Sequence, residues 1–220
     1  MAVKLPPRVY RPDLAKMIRE VEVVGFGEFE LVSGGQPSPI YFKFRMRPRG
    51  PLTADLVRQL ALELLVPIAR RNELKFGAVA GVPEAAKSFA AVLAEAFDVP
   101  LIQLLKEASE SGEDLGILGC PEAFRGTVLV VEDAVTRATS SMRTITRLRR
   151  AGCQVTDVLV FVNRGQGGEE ELAFAGITLH AVRKLSELLE FWRFEKLIPH
   201  DQYVKTVVYL ATHQEQKEKP

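Results

Sequence analysis

TVLVVEDAVTRATSS, Thr127 to Ser141, reads as an apolar strand, two adjacent carboxylates, and a run of small and hydroxyl-bearing residues that opens a helix. A continuous run such as Thr127 to Val131 is the pattern of a strand covered on both faces, which is the habit of parallel sheets. In open α/β sheets ligands bind beyond the carboxyl ends of the strands, so the residues that follow Val131 are the informative ones. Glu132 and Asp133 stand there first, followed by Ala134, Val135, Thr136, Arg137, Ala138, Thr139 and Ser140. A helix N-terminus offers free backbone N–H groups and partial positive charge, so a phosphate can sit among these amides and hydroxyls. The two carboxylates can accept hydrogen bonds from other hydroxyls of the same ligand. That combination suits a sugar phosphate. The competing reading is an ordinary helix cap beside two solvated acids, because Thr and Ser cap helices everywhere.

Outward from this stretch the chain alternates short strands with helical segments. SMRTITRLRRAG reads as a helix closed by Gly152 in the C′ position, and VTDVLVFV as the next buried strand. Upstream, TADLVRQLALELLVPIARR places Val57, Leu60, Ala61, Leu64 and Ile68 on one face behind a Thr53 cap. A strand at Phe76 to Val82, a helix from Ala85 to Phe97 and a strand opening at Pro100 follow. Beyond Gly168 come a helix, the short strand ITLHAV and two helical patches, KLSELLEFWRF being the clearer, with Phe191 and Trp192 on its apolar face. This predicts an α/β, Rossmann-like protein with a mostly parallel sheet flanked by helices. Before it, LAKMIREVEVV and FGEFELV predict a helix and a strand forming a small N-terminal hood. The expected division is a hood over 1–50, a core over 51–212 and a polar tail over 213–220.

Composition narrows the partners. The 220 residues carry 29 Lys+Arg and 28 Asp+Glu, a formal net charge of +1, which favours neither nucleic acid nor an anionic membrane. No run is long enough to span a bilayer, and the first residues lack a signal peptide's apolar stretch, so the expectation is a cytoplasmic protein. Cys120 and Cys153 are too few for a disulfide framework and are read as reduced thiols. His180, His200 and His213 show no ligand spacing, and no protein metal site is expected. His180 reads as a packing histidine. Arg45, Arg47 and Arg49 are read either as solvated charges or as the lining of an anion site, in this subunit or a partner's.

The loop after Val131 resembles the phosphoribosyl diphosphate (PRPP) signature of type I phosphoribosyltransferases. The resemblance implies that Glu132 and Asp133 hold the ribose hydroxyls and Ala134 to Ser140 the 5-phosphate. Arg137 departs from the small residue usual at its place, and no glycine stands in the loop. Roughly Phe29 to Trp192 is similar to orotate phosphoribosyltransferases, including the domain fused to a decarboxylase in UMP synthase. FELVSGGQPSPIYFKFR matches that family's N-terminal strand pair through Ser33, Gly34, Ser38, Pro39, Tyr41 and Arg45, although Val32 and Lys43 replace its usual lysine and acid. GVPEAAKSFA looks like its pyrophosphate-side loop, with Lys87 and Ser88 in place of an aliphatic residue and a proline. In VNRGQGGEEELAFAGITLHAV, Arg164 matches the arginine that meets the orotate carboxylate, as a planar guanidinium fork suits. Read without the resemblance, Arg164 is a solvated loop arginine among glycines.

The resemblance implies Mg²⁺-dependent transfer of a phosphoribosyl group from PRPP to orotate, Mg²⁺ riding mainly on PRPP. It also implies a pyrimidine contact from Thr136 as well as Arg164, and a homodimer. The family's catalytic loop corresponds to LLKEASESGED, where Leu105 replaces an arginine, Lys106 is kept, and Ser109 and Ser111 stand at a lysine and a histidine position. Catalytic roles are therefore expected of Lys106 and Asp133, with Lys87 adding charge on the pyrophosphate side. A chain with so thin a cationic loop also fits a non-catalytic PRPP- or nucleotide-binding regulator, or a transferase for another base.

Overall fold

The computed structural model describes residues 14–30, 37–105, 116–119 and 125–214. It begins with a helix, α1 (Leu14–Glu20), and an antiparallel strand pair, β1 (Val24–Phe29) and β2 (Ser38–Phe42). One helical rod follows in three parts: α2 (Ala54–Leu60), a π-helical turn (Ala61–Leu65) and α3 (Val66–Arg71). Thr53 caps it as the sequence predicts, its hydroxyl accepting the Leu56 N–H at 3.3 Å. The π turn is not announced by the apolar spacing. It precedes Pro67, which has no N–H to close a regular helical turn at that point.

The sheet is built from β3 (Ala78–Gly81), β4 (Leu101–Leu104), β5 (Ile117–Leu118), β6 (Val128–Val135), β7 (Asp157–Asn163) and β8 (Thr178–Lys184). Its order is β5-β4-β3-β6-β7-β8, and every neighbouring pair is parallel except β4 with β5. Helices α4 (Lys87–Phe97), α5 (Thr139–Arg150), α6 (Gly168–Phe174), α7 (Leu185–Phe194) and α8 (His200–Gln214) complete the chain. The α/β class with helices flanking a mostly parallel sheet is the one expected. Helix α5 ends as read, with Gly152 at φ +86° two residues beyond Arg150.

Two cores explain why the stretches VLVV of β6 and VLVFV of β7 are apolar without a break. Leu129, Val131, Leu159 and Phe161 pack on one face with α4 and the N-terminal elements, while Val128, Val130, Val158 and Val160 pack on the other with Ile145 and Leu148 of α5. Phe161 stacks on Phe44 at 4.9 Å between ring centres and meets the edge of Phe89 at 4.8 Å. The first core also takes in α1 and the β1–β2 pair. Trp192 is fully buried, donates its indole N–H to the Ala15 carbonyl at 2.7 Å and meets Phe26 edge-on. Among the described residues no helix is long and apolar enough to cross a membrane.

Several boundaries lie a few residues from the sequence reading: the helix read as LAKMIREVEVV ends at Glu20, the strand read as FGEFELV is Val24–Phe29, and α4 begins at Lys87 rather than Ala85. One such shift bears on the site. Strand β6 continues four residues past Val131, because Glu132, Ala134 and Val135 pair with Val160, Val162 and Asn163 of β7. Ala134 and Val135 therefore belong to the strand, and the loop proper is Thr136 to Ala138.

Candidate functional site

Successive strand residues face opposite sides of a sheet, so the two adjacent acids diverge. Glu132 is 7% exposed and points toward α5, where the Ser141 hydroxyl donates to its Oε2. Burial raises its carboxyl to about 8, the Ser141 hydrogen bond pulls it back, and the charge of Asp133 adds to the rise. Asp133 lies on the other side, half-buried, within reach of the Arg45 charge. Burial raises it to about 6 against the backbone N–H groups of Ala134 and Asp133 and the Arg45 charge, all of which favour the carboxylate. Perturbed acids at the end of a central strand are a signature of a functional site.

Beyond them Thr136 is half-buried, Arg137 exposed and Ala138 buried, with Thr139 and Ser140 exposed on the first turn of α5. Ala138 adopts φ +56°, a left-handed conformation that costs a non-glycine residue ~1–2 kcal/mol. No side chain caps α5, which leaves its leading N–H groups for a ligand. This loop rests on the next one. The Gly168 N–H donates to the Thr136 carbonyl at 3.0 Å, and a Cβ at Gly168 would lie 2.5 Å from Val135 Cγ1 and 2.9 Å from the Ala138 nitrogen.

Arg164 leaves β7 beside this loop, its backbone N–H bonded to the Val135 carbonyl at 2.9 Å. It is 4% exposed, so the solvated-loop reading does not hold. Its Nη2 donates to Ser38 Oγ of β2 at 2.8 Å, and its Nε is buried without a hydrogen-bond partner. Burial lowers its guanidinium to about 10, opposed by Tyr209 on α8. Two residues on, Gln166 is also buried and its Oε1 is unpartnered. Buried polar groups left without protein partners are costly, and Arg164 stands beside the end of β6 through its backbone bond to Val135.

The remaining residues are distributed around this centre. Lys87 opens α4 and pairs with Glu84 at 2.8 Å, so its charge is already shared. A pocket of about 210 Å³ opens between α4 and β4, lined by Gly81, Lys87, Ser88, Ala91 and Gln103 among others. Gly81 has no room for a Cβ, which would stand 2.7 Å from the Ala86 carbonyl oxygen. Ser33, Gly34, Lys106, Ser109, Ser111 and Cys120 lie outside the described residues. The two ends of the 106–115 segment are described: the Leu105 N–H bonds the Gly116 carbonyl at 2.7 Å, and Arg147 of α5 donates to both carbonyls, at 2.7 and 2.8 Å. Sequence reasoning missed Arg147, the buried Gln166 and the Ser38 link to Arg164. Only Ser38 carried a signal, as part of a family strand. His180 is a packing histidine as expected, bonded to Asp157 Oδ1 at 2.7 Å and Asn72 Nδ2 at 2.9 Å. Among the described residues no cluster of His, Cys, Asp and Glu could cage a metal ion.

No protein-family model matches the chain. Over 170 residues it is 33% identical to uridine 5'-monophosphate synthase of Bos taurus, an alignment that covers 77% of this chain and 34% of that protein. The chain thus spans about a third of the bovine relative. Over 173 residues it is 32% identical to orotate phosphoribosyltransferase of Methanocorpusculum labreanum, covering 79% of this chain and 95% of the relative. The solved UMP synthase of Leishmania donovani aligns with a TM-score of 0.78 at 30% identity, over 91% of this chain and 42% of that one. With the sheet, the acid pair of β6 and Arg164 arranged as described, these likenesses lead to one conclusion: the chain belongs to the orotate phosphoribosyltransferase family.

Proposed function

We propose that the chain transfers the 5-phosphoribosyl group of PRPP to a ring nitrogen of orotate, giving orotidine monophosphate and pyrophosphate. The observation that carries this reading is the adjacency of two loops. The carboxyl end of β6 and the loop after it offer two acids and open helix N–H groups, and the β7 loop, bonded to them through Arg164 and Gly168, offers a buried cation. Asp133 and Glu132 accept hydrogen bonds from the ribose hydroxyls, Thr136 to Ser140 receive the phosphate, and Arg164 takes the orotate carboxylate as a fork. Thr136 borders the pyrimidine. As the bond from C1 of the ribose to the leaving pyrophosphate oxygen breaks, positive charge builds on the sugar ring and negative charge on pyrophosphate. Asp133 supports the first and Lys106 the second, with Lys87 on the same side.

Mg²⁺ fits this donor set, because hard oxygen ligands from PRPP and one or two carboxylates are its usual environment. When bound it neutralises charge on the diphosphate. The reading carries with it a homodimer, a cytoplasmic location, and a hood over 1–50 on a core of 51–212 with a tail of 213–220. A regulator that binds PRPP without turnover is the second reading. It is favoured by the pairing of Lys87 with Glu84, which leaves Lys106 the main cation of the pyrophosphate side.

The experiment is turnover of purified protein with PRPP, Mg²⁺ and a panel of bases, read as pyrophosphate release. Release with orotate supports the proposal, release only with another base overturns the base assignment, and PRPP binding without release selects the regulator.

A further inference from the structure

The base-side arginine does not hold its own orientation. Arg164 projects from the β7 loop, and its guanidinium is tied by a hydrogen bond to Ser38, 126 residues away on β2. Ser38 is fully buried, and its hydroxyl has a single proton, which it donates to the Ile40 carbonyl at 2.7 Å. The Ser38 oxygen is thereby turned to accept, from Arg164 Nη2 at 2.8 Å and from the Ile40 N–H at 3.3 Å. A hydroxyl so committed has no proton for a ligand. What it does is fix one corner of a guanidinium whose Nε is left buried and unbonded.

We infer that Ser38 is a positioning residue for base recognition: by accepting from Nη2 it aims the unbonded edge of Arg164 at a carboxylate on the pyrimidine. The inference rests on the assignment of Arg164 to that carboxylate. It predicts that selectivity for a carboxylated pyrimidine is shared between the hood, which supplies Ser38, and the core, which supplies Arg164. A guanidinium freed of its Ser38 bond is held by fewer contacts in a buried site, and the ordering it then loses must be supplied by the ligand.

Two nucleotides isolate the effect, since orotidine monophosphate and uridine monophosphate differ only by the carboxylate. Calorimetric affinities for both are to be measured with the parent, Ser38→Ala, Arg164→Ala and the double variant. Ser38→Ala should lower the affinity ratio of orotidine to uridine monophosphate by about tenfold, the scale of one hydrogen bond to a charged group, while uridine monophosphate binding stays near the parent's. In the Arg164→Ala background the same change should add nothing to the ratio, because Ser38 acts through Arg164. Ser38→Thr, which keeps the acceptor oxygen, should restore the ratio. If Ser38→Ala weakens both nucleotides equally, or leaves the ratio intact while Arg164→Ala collapses it, the positioning role is refuted and the Arg164 assignment survives. If Arg164→Ala leaves the ratio unchanged, the assignment beneath it falls. Should Ser38→Ala fail to fold, Ser38→Cys, a weak acceptor of similar size, decides by the same ratio.

Discussion

Replacing Glu132 by glutamine should make the protein more stable and a poorer binder of PRPP, and the gain in stability should widen with pH. Burial lifts the Glu132 carboxyl from an ordinary 4.5 to about 8. The folded protein keeps that proton over a range in which the unfolded chain has lost it. Folding is therefore penalised as pH climbs above 4.5, and the penalty levels off above about 8. A tenfold difference in proton affinity between folded and unfolded chain is worth about 1.4 kcal/mol, so the cost is about 3 kcal/mol at pH 7 and grows by about 2 kcal/mol between pH 6 and pH 8. Glutamine has no such proton to lose, and its carbonyl oxygen can still accept from the Ser141 hydroxyl, so the change removes charge and little else. The raised Asp133 carboxyl is common to both proteins and largely drops out of the comparison. Urea unfolding of parent and variant at pH 6 and pH 8 gives the two differences. At and above pH 8, where the parent carboxyl is ionised, a neutral acceptor serves the ribose hydroxyls less well, and PRPP affinity should fall by up to about tenfold there and by less at pH 6. A variant no more stable than the parent at pH 8, or a gap that is the same at both pH values, would show that Glu132 is not a desolvated acid.

Asp133→Asn should weaken PRPP by about tenfold at pH 8, and less at pH 5, where the parent's own Asp133 is largely protonated; calorimetry at the two pH values checks it. Gly168→Ala should cost about 2 kcal/mol, roughly 4–8 °C in Tm by calorimetric scan, because the new Cβ meets Val135, Thr136 and Ala138. Lys106→Ala should remove about 10²-fold of any measured transfer rate while PRPP binding weakens only modestly, as charge serving a departing group acts in the transition state. Equal losses in single-turnover rate and in PRPP affinity would assign Lys106 to ground-state binding instead.

The sheet is legible in the sequence because strands buried on both faces are apolar at every position, and VLVV and VLVFV cannot easily be read otherwise. The acids at the end of β6 are legible as a site but not as strand, since carboxylates ordinarily end an apolar run. What extends the strand is pairing with β7, through backbone hydrogen bonds that the side chains do not announce. Arg164 illustrates the opposite limit. Its neighbours Gly165, Gly167 and Gly168 suggest an exposed loop, yet the chain folds back under β2 and buries it. A partner 126 residues away leaves no trace in local periodicity. Lys87 is legible as a cation beside the GVPEAAKSFA loop, but not its pairing with Glu84, because an i,i+3 ion pair depends on how α4 begins.

On the proposed assignment of the site, the missing side chain at Gly168 also limits how this family member can change its substrate. The loop that carries Arg164 and the Thr136–Ala138 loop touch through Gly168 without the width of a methyl group to spare. Enlarging or reshaping the base pocket by adding bulk at that point displaces Ala138 and the start of α5, so a variant that accepts a new base by this route gives up its grip on the sugar phosphate. The opposite wall of Arg164, formed by Ser38 of β2 and the Tyr209 side of α8, carries no part of the phosphate loop. Selection for a different base, in nature or in a library, should therefore accumulate changes on β2 and α8 and leave position 168 untouched.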